Sequence, residues 1–193
     1  MTVKERILRR SEVLQNNVSY LERSIEKISL LFSESLLDGN KLLFCGNGGS
    51  AAESQHMAAE YCATLSHANP RKGFAALALT TDTSFITAWS NDFGYETIFE
   101  RQLETLGVLG DVLICYTTSG SSKNVCLAAE KAKSMGIKVV GFTGNPESTE
   151  IEKFCDEIFK APTEGTAFIQ EMHTVIGHEV CLKVEKIMKS KSQ

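Results

Sequence analysis

Beyond Gly39 the chain keeps one strict order. A short apolar run is followed by a helical stretch, and the unit repeats to the end. The runs 41–45, 74–79, 111–116, 138–142 and 157–160 read as strands, and 50–63, 96–106, 122–135 and 148–154 as the helices between them. Gly107 and Gly136 fall where helices commonly end. Strands joined through helices pair in parallel, and a parallel sheet must be covered on both faces. The pattern therefore predicts an α/β fold: a five-stranded parallel sheet in a three-layer sandwich, closed by a helix over 166–189 after the turn at 162–165.

Ahead of this region Leu14, Val18, Leu21, Ile25, Ile28 and Phe32 recur at alternating spacings of four and three. That predicts one long amphipathic helix over 3–37. A sustained stripe of this kind packs on its own core or on copies of itself, and the heptad spacing favours a subunit contact. We divide the chain accordingly into an N-terminal helical extension, 1–39, and a domain over 40–193.

The 193 residues suffice for a sizeable core without disulfides or a structural metal. Twenty Lys and Arg against 24 Asp and Glu, with the signs mixed, give a net charge of −4 and no field that would gather nucleic acid. No apolar run is long enough to span a membrane, and the first ten residues lack the apolar core of an export signal, so a cytoplasmic protein is expected. Cys45, Cys62, Cys115, Cys126, Cys155 and Cys181 are scattered without a C-x-x-C pair, as reduced, buried thiols are.

Two loops carry the first chemical signal. The first strand runs into Gly46-Asn47-Gly48-Gly49-Ser50 and then a helix, so the backbone can approach a ligand that also meets the helix N-terminus. Gly46, Gly48 and Ala51 satisfy G-x-G-x-x-A, but the acidic residue that should close the second strand of a dinucleotide site is missing. After the third strand Thr117-Thr118-Ser119-Gly120-Ser121-Ser122 again opens a helix, with more hydroxyls than capping requires. Two such loops flanking a point where strand order reverses suit one small phosphorylated molecule.

The helix after the first loop carries His56 and Glu60 one turn apart, and the last helix carries Gln170, Glu171, His173 and His178, with His67 elsewhere. At about 100° per residue Glu171 nearly eclipses His178, while Gln170 lies roughly 80° away. Geometry prefers Glu171 as the partner of His178 and permits Gln170. His173 reads as a core or interface histidine.

The runs Cys45–Ser50, His56-Met-Ala-Ala-Glu60, Ser90-Asn-Asp-Phe-Gly94, Thr118-Ser-Gly120 and Ile169-Gln-Glu-Met-His173 together resemble the sedoheptulose-7-phosphate (phosphoheptose) isomerases of the sugar isomerase (SIS) superfamily, over nearly the whole chain. The resemblance implies an SIS-type, flavodoxin-like sandwich. It also implies conversion of sedoheptulose 7-phosphate into D-glycero-D-manno-heptose 7-phosphate through an enediol, for the nucleotide-activated heptose of lipopolysaccharide or capsule. Asn47, Gly48, Gly49, Ser50, Glu60, Asn91, Asp92 and Gln170 would contact substrate, and Thr117, Thr118, Ser119 and Ser122 would hold its phosphate. Glu60 and His178 would be the catalytic carboxylate and imidazole. His56, Glu60, Gln170 and His178 match the family's zinc ligands, one ion per subunit, in a homotetramer. On this point the resemblance places Gln170 above Glu171.

Thr64 stands where an arginine is common in the family, Ser121 where an asparagine is, and Ala167 and Phe168 where acidic and basic residues are. These departures bear on the identity and orientation of the sugar. A non-catalytic relative that binds the bacterial replication initiator shares the loops but lacks the equivalents of Glu60 and His178, whose presence here favours an enzyme. A sensor or isomerase for another phosphosugar is the remaining alternative.

Overall fold

The computed structural model describes residues 1–66, 68, 70–145 and 148–191. Expected features at His67 therefore lie outside the described residues. The strands are β1 (Leu42–Gly46), β2 (Ala76–Ala78), β3 (Val112–Thr117), β4 (Lys138–Thr143) and β5 (Glu157–Lys160). They form one parallel sheet in the order β2-β1-β3-β4-β5. The helices are α1 (Val3–Asn16), α2 (Val18–Leu37), α3 (Gly49–Cys62), α4 (Thr83–Phe93), α5 (Ile98–Leu106), α6 (Lys123–Ser134) and α7 (Thr166–Lys191). Short 3-10 turns occupy Tyr95–Thr97 and Glu150–Lys153.

Both faces of the sheet are covered along the central strands β1, β3 and β4, which are apolar at successive positions, while the edge strands β2 and β5 are partly exposed. Leu42, Phe44, Val112, Ile114, Val140 and Phe142 point into one core with residues of α2, α3 and α7. Leu43, Cys45, Leu113, Cys115 and Val139 point into the other with residues of α5 and α6. This is the expected three-layer arrangement. At the base of the sheet Asp111, wholly buried, accepts from the backbone N–H groups of Lys41 and Val108 and pairs with the Lys41 ammonium at 2.6 Å. A buried carboxylate so fully partnered is tolerated and fixes the start of β1 against β3.

Two expectations are corrected. The single helix over 3–37 is two helices, broken at Asn17, whose backbone leaves the helical region (φ −115°, ψ 10°) and whose side-chain amide donates to the Val13 carbonyl at 2.7 Å. Of the heptad stripe, Leu21, Ile28 and Phe32 are buried in this chain's own core, with Leu14 and Ile25 packed against it, so α2 spends the stripe on α3 and α7. The stretch 148–154 is a 3-10 turn opened by a capping box at Thr149 and Glu152. A helix unforeseen from the sequence, α4, starts with Asp82 accepting from the Phe85 N–H and buries none of its residues.

Candidate active site

Because β1 is followed spatially by β2 on one side and β3 on the other, strand order reverses between β1 and β3, and the loops leaving both strands line that crevice. In the first loop Gly48 has φ +56°, in the left-handed region that favours glycine. At Gly49 a Cβ would lie 2.5 Å from Nε2 of Gln170, so the absence of a side chain lets α7 lay this amide directly on the loop. In the second loop the Ser122 hydroxyl faces that of Thr117 at 3.2 Å, and the Gly120 N–H donates to Thr117 Oγ1. Ser119 receives both the N–H and the hydroxyl of Ser121. Neither α3 nor α6 has a side-chain N-cap, which leaves the amides and positive dipole ends of both helices turned to the crevice.

The two loops are tied together. Asn47 and Asn124 exchange reciprocal amide hydrogen bonds at 2.8 and 2.9 Å, and the Tyr95 hydroxyl donates to Asn47 Oδ1 at 2.8 Å. Neither Tyr95 nor Asn124 stood out in the sequence. Asn124 does sit in the first turn of the helix that follows the hydroxyl loop, which is the signal that was available.

Two to three turns into α3 the titratable groups gather. His56 Nε2 and His178 Nε2 are 2.7 Å apart, their rings in an edge-on arrangement, and Glu60 Oε1 lies 3.8 Å from His56 Nδ1. The ligand atoms of all three fall within 4.8 Å of one another. Two imidazole nitrogens can face each other so closely only if one is protonated and the other not, or if both point at one cation. Two imidazoles and a carboxylate make a donor set that suits a transition metal such as zinc.

Behind them stands Glu53, also missed from the sequence although 53, 56 and 60 share one helix face. Its Oε2 accepts from Thr174 at 2.6 Å, and its buried Oε1 has no hydrogen-bond partner among the described residues. Burial pushes this carboxyl above its ordinary range, and the Thr174 hydroxyl and the neighbouring His56 and His178 pull it back.

Gln170 and Glu171 turn to different parts of the chain. Glu171 turns to α1, where Arg10 binds both its oxygens, the second at 2.9 Å, while Gln170 turns to Gly49. His173 is a core residue, as expected: it is 1% exposed among Tyr116, Phe142 and Phe159, and its Nε2 donates to the Thr143 carbonyl. Asn91 and Asp92 lie at the end of α4, exposed, with the Asn91 amide donating to the Asp92 carboxylate; Tyr95, three residues beyond Asp92, is the residue that bonds to the first loop. The unusual Phe168 is buried beneath the Arg10 guanidinium, 4.8 Å from its ring centre, and the Thr64 hydroxyl donates to the Ser66 carbonyl.

Residues 8–144 match the SIS domain family. The phosphoheptose isomerase of Akkermansia muciniphila is 48% identical over 164 residues, 84% of each chain, and that of Aliarcobacter butzleri is 42% identical over 93% of each. The solved structure of phosphoheptose isomerase from Neisseria gonorrhoeae superposes with a TM-score of 0.86 at 34% identity, covering 96% of this chain and all of that one. With the sheet order, the two uncapped loops and the His-Glu-His cluster in place, these matches identify the chain as a member of the SIS domain family and, within it, of the phosphoheptose isomerases.

Proposed function

We propose that the protein interconverts sedoheptulose 7-phosphate and D-glycero-D-manno-heptose 7-phosphate. The observation that carries this reading is the convergence of His56 and Glu60, on the helix that springs from the first loop, with His178 of α7. In this reading Thr117, Thr118, Ser119 and Ser122, with the N-terminus of α6, hold the phosphate. Asn47, Gly48, Gly49, Ser50, Asn91, Asp92 and Gln170 hold the sugar.

Isomerisation moves one proton between adjacent carbons. Glu60 removes it from C1 of the ketose while His178 delivers a proton to the C2 oxygen, giving the enediol. Glu60 then returns a proton to C2 as His178 takes the one on the C1 oxygen, leaving the aldehyde. Glu53, which ties α3 to Thr174 of α7, keeps the two catalytic helices in register. His56, Glu60, Gln170 and His178 are the residues that would hold one zinc per subunit, and such an ion would polarise the substrate carbonyl.

The product suits nucleotide-activated heptose for lipopolysaccharide or capsule. Six unpaired cysteines accord with a cytoplasmic setting. We further infer a homotetramer, in which α1 is the contact element. It buries none of its residues within the chain, Val3, Ile7 and Leu8 are each more than half exposed, and a groove of about 710 Å³ runs along it.

The test is incubation with sedoheptulose 7-phosphate in heavy water, with and without a chelator. Aldose product with deuterium on carbon is expected. Neither product nor label in the metal-replete protein would refute the proposal, and full activity after exhaustive chelation would remove the zinc.

A further inference from the structure

Asn124 is 3% exposed, on the first turn of α6. A buried amide must satisfy its donors and acceptor within the protein. Asn124 does so across the crevice, giving one hydrogen bond to Asn47 and taking one from it. The pair spans 77 residues of sequence and joins the loop after β1 to the helix after β3, the two segments whose separation sets the width of the anion site. With the Tyr95 hydroxyl added, both lone pairs of Asn47 Oδ1 are filled, so Asn47 can offer a ligand only N–H groups. That polarity suits a phosphate or a sugar oxygen.

We propose that Asn124 is a positioning residue for the substrate phosphate: its reciprocal amide pair with Asn47 holds the two loops at the spacing at which both close on one anion, and Tyr95 fastens the turn following Asn91 and Asp92 to the same point. This rests on reading the loops as the phosphate site. The alternative, a bond that merely adds stability, makes a different forecast, because the acid/base groups lie elsewhere on α3 and α7.

The test uses the full chain and two readouts: calorimetric binding of inorganic phosphate, and steady-state kinetics with sedoheptulose 7-phosphate, with the thermal midpoint recorded for each variant. Asn124→Ala is expected to weaken phosphate binding and raise KM together by about tenfold, with kcat within about threefold, since a lost buried hydrogen bond is worth about that factor. Asn124→Asp supplies a sharper criterion. An ionised carboxylate can accept from Asn47 but has no proton to return, so two oxygens face each other; a protonated one restores the exchange. Relative to wild type at each pH, Asn124→Asp should therefore regain affinity as the pH falls. Tyr95→Phe should give a smaller rise in KM of the same kind.

Phosphate affinity and KM within twofold of wild type in Asn124→Ala, whatever its thermal midpoint, would overturn the inference, as would a fall in kcat alone. Should Asn124→Ala fail to fold, the pH-dependent recovery of Asn124→Asp decides, and a flat ratio to wild type refutes it. A wild-type protein that binds phosphate without isomerising the heptulose would sink the isomerase reading and leave this one standing. Normal isomerisation with indifferent Asn124 variants would do the reverse.

Discussion

In the proposed mechanism Glu60 and His178 divide the proton transfer between them, so replacing each by a neutral near-isostere should separate chemistry from folding. Glu60→Gln and His178→Asn are expected to lower kcat by about 10²–10⁴ while thermal midpoints stay within a few degrees of wild type. Wild-type turnover from both would remove them from the mechanism. His173 makes a different forecast. Burial holds its pKa at about 4, below the ordinary 6.5, against the small opposing effect of its bond to the Thr143 carbonyl. Above pH 6.5 the imidazole is neutral in folded and unfolded chains alike, and its full contribution is present. As the pH falls from 6.5 towards 4 the unfolded chain takes up a proton that the native state refuses, so stability drops by up to about 1.4 kcal/mol per pH unit. Denaturant titrations across that window should show a shallower slope for His173→Gln, which keeps a donor but cannot titrate. An unchanged slope would assign the acid sensitivity to other groups.

Between elements, the contact that matters most for the site is the one between the start of α3 and the start of α7. Gly49 leaves no room for a Cβ beside the Gln170 amide. Gly49→Ala should displace that side chain, which is the free end of a flexible amide, at little cost in thermal stability, and raise KM in the same protein. A KM that stays at the wild-type value would mean Gln170 is not held for substrate. The strands and the main helices were legible because each carries its own periodicity of apolar residues. The helix α4 was not, since it contributes no buried residue and its rings Phe85, Trp89 and Phe93 stack along its own surface. The break at Asn17 was hidden by a stripe that continues across it: Leu14 and Val18 keep the four-residue spacing although the backbone turns between them.

For the whole molecule the open face is α1, anchored to the rest of the chain by Arg10 on Glu171 and Phe168. Light scattering should return the mass of four chains at micromolar concentration, and Arg10→Ala should shift that distribution towards smaller species. A monomeric wild type would refute the tetramer. At this scale the division between sequence and tertiary structure is clear. The alternation of strand and helix, the two loops and the residues of the cluster are written locally, because hydrophobic period, glycine and hydroxyl placement act over a few neighbours. The Gln170 or Glu171 choice, the Glu53 to Thr174 bond and the Asn47 to Asn124 pair join positions 161, 121 and 77 residues apart in their closing contacts. No local pattern encodes such meetings. They exist because the sheet brings the ends of β1 and β3 side by side and lays α7 across α3, and only then does burial oblige each polar group to find its partner.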